Sequence, residues 1–94
     1  MMNKCLFCKI VKGDIPADKV FENESILAFR DINPAAPTHI LIIPKIHIPT
    51  LNDLKPEHSN LVGEMIQLSS VLAKKEGIAE AGYRTGFNCN EAGG

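Results

Sequence analysis

The chain has 94 residues, 45% of them hydrophobic and 22% charged, the composition of one small soluble globular domain with no disordered tract. Ten basic and eleven acidic residues leave a net charge of −1 without a basic run, which argues against nucleic acid or an anionic membrane as a partner. No apolar stretch approaches the roughly 20 residues of a membrane span and no charged-then-apolar leader opens the sequence. Three cysteines, an odd number, fit a reducing compartment, so a cytoplasmic location is expected. A domain of this size buries only roughly 60–65% of its unfolded surface, so each strand matters to its core.

Leu6-Phe7-Cys8-Lys9-Ile10-Val11, closed by Gly13, reads as one or two helical turns. In a helix Cys5 and Cys8 share a face, and Phe7 and Ile10 share the neighbouring one. After the connector Asp14-Ile15-Pro16-Ala17, the runs from Lys19 to Glu22 and from Ile26 to Arg30 are split by Asn23-Glu24-Ser25, the pattern of a β-hairpin with a polar turn. Asn33-Pro34 and Ala36-Pro37 then punctuate a stiff loop with Asp31 and Ile32 at its mouth. Thr38 to Pro44 resumes as a third strand, with His39, Leu41 and Ile43 on one face and Thr38, Ile40 and Ile42 on the other.

Pro49 to Pro56 reads as loop. Pro56-Glu57 suits a first helical turn, with proline at its start and an acid against the dipole, although Lys55 is a poor cap. Leu61, Met65, Leu68 and Leu72, flanked by Val62 and Ile66, form an apolar stripe that predicts a helix to about Glu76, stopped at Gly77 and packed on the sheet. Tyr83 to Cys89 is expected as a fourth strand, weakened by Gly86. The fold class is α+β.

Several residues carry two readings. His39 is either a hydrogen-bonded strand histidine or a functional one, and Asp31 before Asn33-Pro34 is either an Asx-turn residue or a binding carboxylate. Phe7, Ile10, Phe29 and Ile32 read first as core. Cys5-x-x-Cys8 is a pair of inert thiols or a metal motif. Cys89 reads as structural, and His58 as solvated helix surface.

The run CLFCKIVKGDIPADKVFENESILAFRDINPAAPTHILIIPKIHI resembles the N-terminal half of the histidine-triad (HIT) family, nearest its HINT-like branch of purine nucleoside phosphoramidases, and the similarity continues to GYRTGFNCNEAGG. Its specificity lies in I-P-A, A-F-x-D-I, P-T-H and I-P-K-x-H occurring in order at the expected spacings. The resemblance implies an antiparallel sheet with a short N-terminal helix and one long helix. It also implies hydrolysis of purine nucleoside phosphoramidates or related nucleotides through a nucleotidyl-histidine intermediate. The nucleophile of that chemistry sits in a C-terminal His-x-His-x-His segment, which these 94 residues do not contain. The domain is therefore expected to lack the final triad strand, to be truncated at its C-terminus, and to be inactive alone.

On the same resemblance, Leu6, Phe7, Ile10, Phe29 and Ile32 line a base cleft and Asp31 takes the ribose hydroxyls of a nucleotide such as AMP. His39 is the supporting, non-triad histidine, Asn88 lies near the phosphate end, and Gly93 and Gly94 begin the loop that approaches the phosphate. Cys5, Cys8 and His47 are three of the four zinc ligands of some similar bacterial proteins, so zinc is a possible but not a required cofactor. A homodimer or strand-swapped oligomer is expected, since loss of a strand leaves sheet edges to be paired. The alternatives to a hydrolase are a non-catalytic AMP-binding remnant and a zinc-linked structural or interaction module.

Overall fold

The structure is a computed structural model and describes residues 5–93, which fall into two compact units divided between His47 and Ile48. The first unit opens with helix α1 (Leu6–Lys12). Cys5 is its N-cap, its sulfur accepting the Cys8 backbone N–H at 3.3 Å. Gly13 ends the helix in the left-handed region at φ 86°, where a glycine avoids a Cβ clash.

Strands β1 (Lys19–Glu22), β2 (Ile26–Arg30) and β3 (Ile40–Pro44) follow, and among the described residues they form one antiparallel sheet in the order β1-β2-β3. The turn between β1 and β2 is built on Asn23, whose side-chain oxygen accepts the N–H groups of Ser25 and Ile26, both at 2.8 Å. That is the Asx geometry the polar residues between the two runs favour. β2 is buried on both faces, which is why Ile26-Leu27-Ala28-Phe29 reads as a continuous apolar run and not as an alternation. Leu27 and Phe29 pack with Ile10 of α1 and Ile43 of β3, and Val11, Ile15, Ala17 and Leu41 close around them. Leu41 and Ile43 thus share a face, as strand periodicity requires.

The exposed carboxylate of Glu22 lies between the ammonium groups of Lys19 at 3.1 Å and Lys45 at 2.7 Å. The hydrogen bond from Lys45, then that from Lys19, holds its carboxyl below the usual carboxylate range. This network ties the residue after β3 to the end of β1.

In the second unit, Thr50 and Asp53 form a capping box around the 3-10 turn Leu51–Asp53. Thr50 Oγ1 accepts the Asn52 N–H at 3.1 Å, and Asp53 Oδ2 accepts the Thr50 N–H at 3.0 Å. The signature T-x-x-D stands in a stretch that reads as plain loop from its prolines. A second 3-10 turn, Pro56–His58, leads into α2 (Ser59–Lys75), which buries Met65, Leu68, Leu72 and Ala73. Gly77, at φ 76°, ends it.

Two expectations are corrected. Residues 83–89 form no strand; all but Cys89 are exposed, without the alternate burial of a half-buried strand, and among the described residues no ladder partner engages them. A strand needs a neighbouring edge for its N–H and C=O groups, and sequence pattern alone does not supply one. His58 is not merely solvated surface either: its Nδ1 accepts the Lys55 N–H at 3.0 Å and supports the entry to α2 that Lys55 cannot cap.

Leu27 is 0% exposed, so Leu27→Ala is expected to lower the unfolding free energy by about 2 to 5 kcal/mol, measured by urea denaturation. Glu22→Gln tests the lysine network. Because the folded-state pKa of Glu22 is depressed, its stabilisation is present above the ordinary carboxylate pKa and is lost as pH falls through the lower folded value. Wild type should therefore exceed the variant in stability near neutral pH, and urea midpoints recorded against pH should converge in acid.

Candidate functional site

The nine residues from Asp31 to His39 are a loop closed at its base by a backbone hydrogen bond, the Asp31 N–H donating to the His39 carbonyl at 3.0 Å. This bond continues the β2–β3 ladder one step past Arg30 and Ile40. Inside the loop the Asp31 carboxylate does two things. Its Oδ1 accepts the Asn33 N–H at 2.9 Å, an Asx turn, while Oδ2 lies 3.5 Å from His39 Nε2. The turn reading and the binding reading of Asp31 are therefore compatible, since a carboxylate has room for about four hydrogen bonds and the turn takes one.

His39 is fixed from its other nitrogen, Nδ1 accepting the Ala35 N–H at 2.9 Å. No residue pattern announces that bond, because it runs from a ring to a loop backbone four positions back. Beside the loop, the residues expected to line an apolar cleft divide in two. Ile10 and Phe29 are core, whereas Leu6, Phe7 and Ile32 are exposed, Ile32 by 87%. The Phe7 and Phe29 rings stand 6.3 Å apart at 49°, so Phe7 covers a buried ring with one that meets solvent.

Cys5, Cys8 and His47 come together in the same unit, with one donor atom of each within 4.8 Å of the others. Cys5 and Cys8 are brought close by the first turn of α1, and His47 follows β3 by three residues. His47 Nδ1 is 3.1 Å from Cys8 Sγ. A hydrogen bond from the Cys8 thiol, then the Cys8 backbone N–H, pulls the Cys5 thiol pKa down, and the same thiol bond, then burial, pushes that of Cys8 up. Two sulfurs and an imidazole suit zinc, and tetrahedral zinc would place a sulfur and a nitrogen about 3.5 Å apart, close to the spacing already present.

Asn88 and Gly93 belong to the second unit. Asn88 is exposed, and a Cβ on Gly93 would meet only the Asn88 backbone, at 3.6 Å, so the fold itself does not demand glycine there. Gly94 lies outside the described residues.

Comparison with known proteins agrees with this fold. The profile of the family described as "Scavenger mRNA decapping enzyme C-term binding" matches residues 4–92. The chain is 50% identical over 94 residues to the purine nucleoside phosphoramidase of Escherichia coli (strain K12), spanning 100% of this chain and 79% of that protein. It is 46% identical over 90 residues to the 14 kDa zinc-binding protein of Zea mays, spanning 94% of this chain and 70% of that one. Among solved structures, a HIT family hydrolase from Legionella pneumophila Philadelphia 1 superposes with a TM-score of 0.93 at 56% identity, over 96% of this chain and 80% of that one. With a family profile over nearly every residue and half of its positions shared with a relative along its full length, the chain belongs to the histidine-triad (HIT) family.

Proposed function

We propose that these residues bind a purine nucleotide such as AMP, with the ribose on Asp31 and the base against Leu6, Phe7 and Ile32, backed by the buried Ile10 and Phe29. The observation that carries the reading is the state of Asp31, whose carboxylate is oriented by a turn through Oδ1 and keeps acceptor capacity at the mouth of the loop. Ribose 2′- and 3′-hydroxyls are donors of the right spacing for such a carboxylate, and hydrogen bonds to a charged group contribute about 1.5 to 3 kcal/mol each. Exposed Leu6, Phe7 and Ile32 supply the apolar contact a planar base needs.

Phosphorus chemistry is a separate matter. A nucleophilic imidazole needs a ring nitrogen with a free lone pair. His39 and His58 each use the Nδ1 lone pair to accept a backbone N–H, which leaves the proton of the neutral ring on Nε2 and no uncommitted lone pair on either nitrogen. His47 faces Cys8. The phosphoramidase activity of the Escherichia coli relative is thus read as the activity of proteins that carry the histidine triad, and residues 1–94 alone as the nucleotide-binding part. Half-exposed Ile66 and Val71 on α2 suit the homodimer expected for this branch.

A zinc-linked structural role at Cys5, Cys8 and His47 is a second reading, favoured by the convergence of their three donors. Water would complete the four-coordinate set.

Calorimetric titration of the 94-residue chain with AMP should show binding, and Asp31→Ala, which removes the acceptor for both hydroxyls, should weaken it by at least the about 1.5 to 3 kcal/mol of one such bond. Phosphoramidate turnover should be undetectable; measurable turnover would reject the assignment of the histidines. Metal analysis after zinc exposure and desalting should find one zinc per chain, lost in Cys8→Ser, and a metal-free wild type would reject the second reading.

A further inference from the structure

We propose that His39 is a positioning residue for ribose recognition, acting through Asp31 by clamping the loop between them; the inference rests on the nucleotide-binding reading above. Three contacts define the clamp. The His39 carbonyl accepts the Asp31 N–H at 3.0 Å, His39 Nδ1 accepts the Ala35 N–H at 2.9 Å, and His39 Nε2 faces Asp31 Oδ2 at 3.5 Å. The order of these contacts gives the imidazole one tautomer. A backbone N–H can only donate, so Nδ1 must be the acceptor and the proton of the neutral ring sits on Nε2, the nitrogen that faces the carboxylate.

Asp31 is then oriented from both oxygens, by the Asn33 N–H on Oδ1 at 2.9 Å and by the imidazole edge beside Oδ2. The close approach of the ring to the second oxygen narrows the rotation of the carboxylate about its terminal torsion, which the Asn33 bond alone leaves wider. The ring also anchors the middle of the loop, because Ala35 lies four residues from each end. Neither prolines nor apolar packing could do this alone, since Ile32 and residues 33–37 are exposed. The Ala35 bond is what holds the loop crown to the strand that begins at Ile40.

The clamp makes a demand that general structural support does not: its loss should be felt in proportion to what the ligand asks of Asp31. The test compares AMP with 2′,3′-dideoxy-AMP by calorimetry on the 94-residue chain. Wild type should prefer AMP. His39→Ala should lose about tenfold in AMP affinity and about twofold or less in dideoxy-AMP affinity, collapsing the preference. His39→Asn, whose side-chain oxygen can reach toward the Nδ1 position and accept the Ala35 N–H but which has no group at the Nε2 position, should recover part of the preference and fall between wild type and His39→Ala. Equal losses for both ligands, or an unchanged ratio in His39→Ala, would overturn the clamp. A wild type that binds both ligands equally would instead overturn the ribose reading and the clamp with it. Nitrogen NMR of wild-type His39 gives a readout independent of ligand and of variant folding: Nε2–H supports the clamp, and Nδ1–H overturns it.

Discussion

The register of β3 on β2 is the constraint from which both clusters of chemistry hang. Ile26 pairs with Pro44 and Arg30 with Ile40, five residues on each side without a break. At one end this places Asp31 opposite His39, and at the other it delivers Lys45 to Glu22 and, two residues later, His47 to Cys8. A slip of one residue would turn Leu41 and Ile43 away from Ile10 and Leu27 and at the same time carry both histidines off their partners. The apolar core and the polar sites are therefore specified by the same pairing. Leu27, with no exposed surface, makes that pairing costly to change.

What stabilises the polar side chains is mostly backbone, not other side chains. His39 takes the Ala35 N–H, His58 the Lys55 N–H, Asp31 the Asn33 N–H, Asn23 those of Ser25 and Ile26, and Cys5 that of Cys8. Each bond spans at most four residues, so little chain entropy is lost in closing it. In so small a domain, loops are stiffened locally while the apolar contacts are spent on the sheet. The consequence for chemistry is that ring nitrogens are assigned before any ligand arrives. An imidazole that accepts a backbone N–H is pre-set as a donor from its other nitrogen, which suits orienting a carboxylate and not attacking a phosphorus atom.

The sequence makes the elements of the first unit legible because their signals are local. Gly13 after a helical run, Asn23-Glu24-Ser25 between two apolar runs, and the Ile-rich segment after Pro37 each set one boundary, and the hairpin strands fall where those signals put them. β3 starts at Ile40 and not at Thr38, with one further ladder-like bond, from the Asp31 N–H to the His39 carbonyl, before the loop begins. Convergence of Cys5, Cys8 and His47 was legible only through resemblance, as 39 residues separate Cys8 from His47 and no spacing rule joins them. The ring bond of His39 to Ala35, the cap on His58, and the absence of a ladder at residues 83–89 were not legible. All three depend on which partner a group finds in space, which composition and periodicity leave undetermined.

The division among the apolar residues of the first unit decides how far plain core accounts for them. Ile10, Leu27, Phe29 and Ile43 are buried, and their number is ample for a sheet with one short helix. Leu6, Phe7, Ile32 and Ile46 stay exposed although a fold this small has few apolar residues to leave outside. Single exposed apolar side chains are ordinary, but Phe7 lies over Phe29 as its outer layer, and Ile32 stands directly after the carboxylate that the loop orients. A surface that pairs an apolar step with a fixed acceptor matches a ligand that is itself divided into a flat apolar part and a polyhydroxyl part. The turn bond of Asp31 serves the loop as well as a ligand, but the exposure of Ile32 is not explained by stability. An isoleucine left 87% exposed beside that carboxylate gives up burial that folding could have used, and the nucleoside proposed above would cover it.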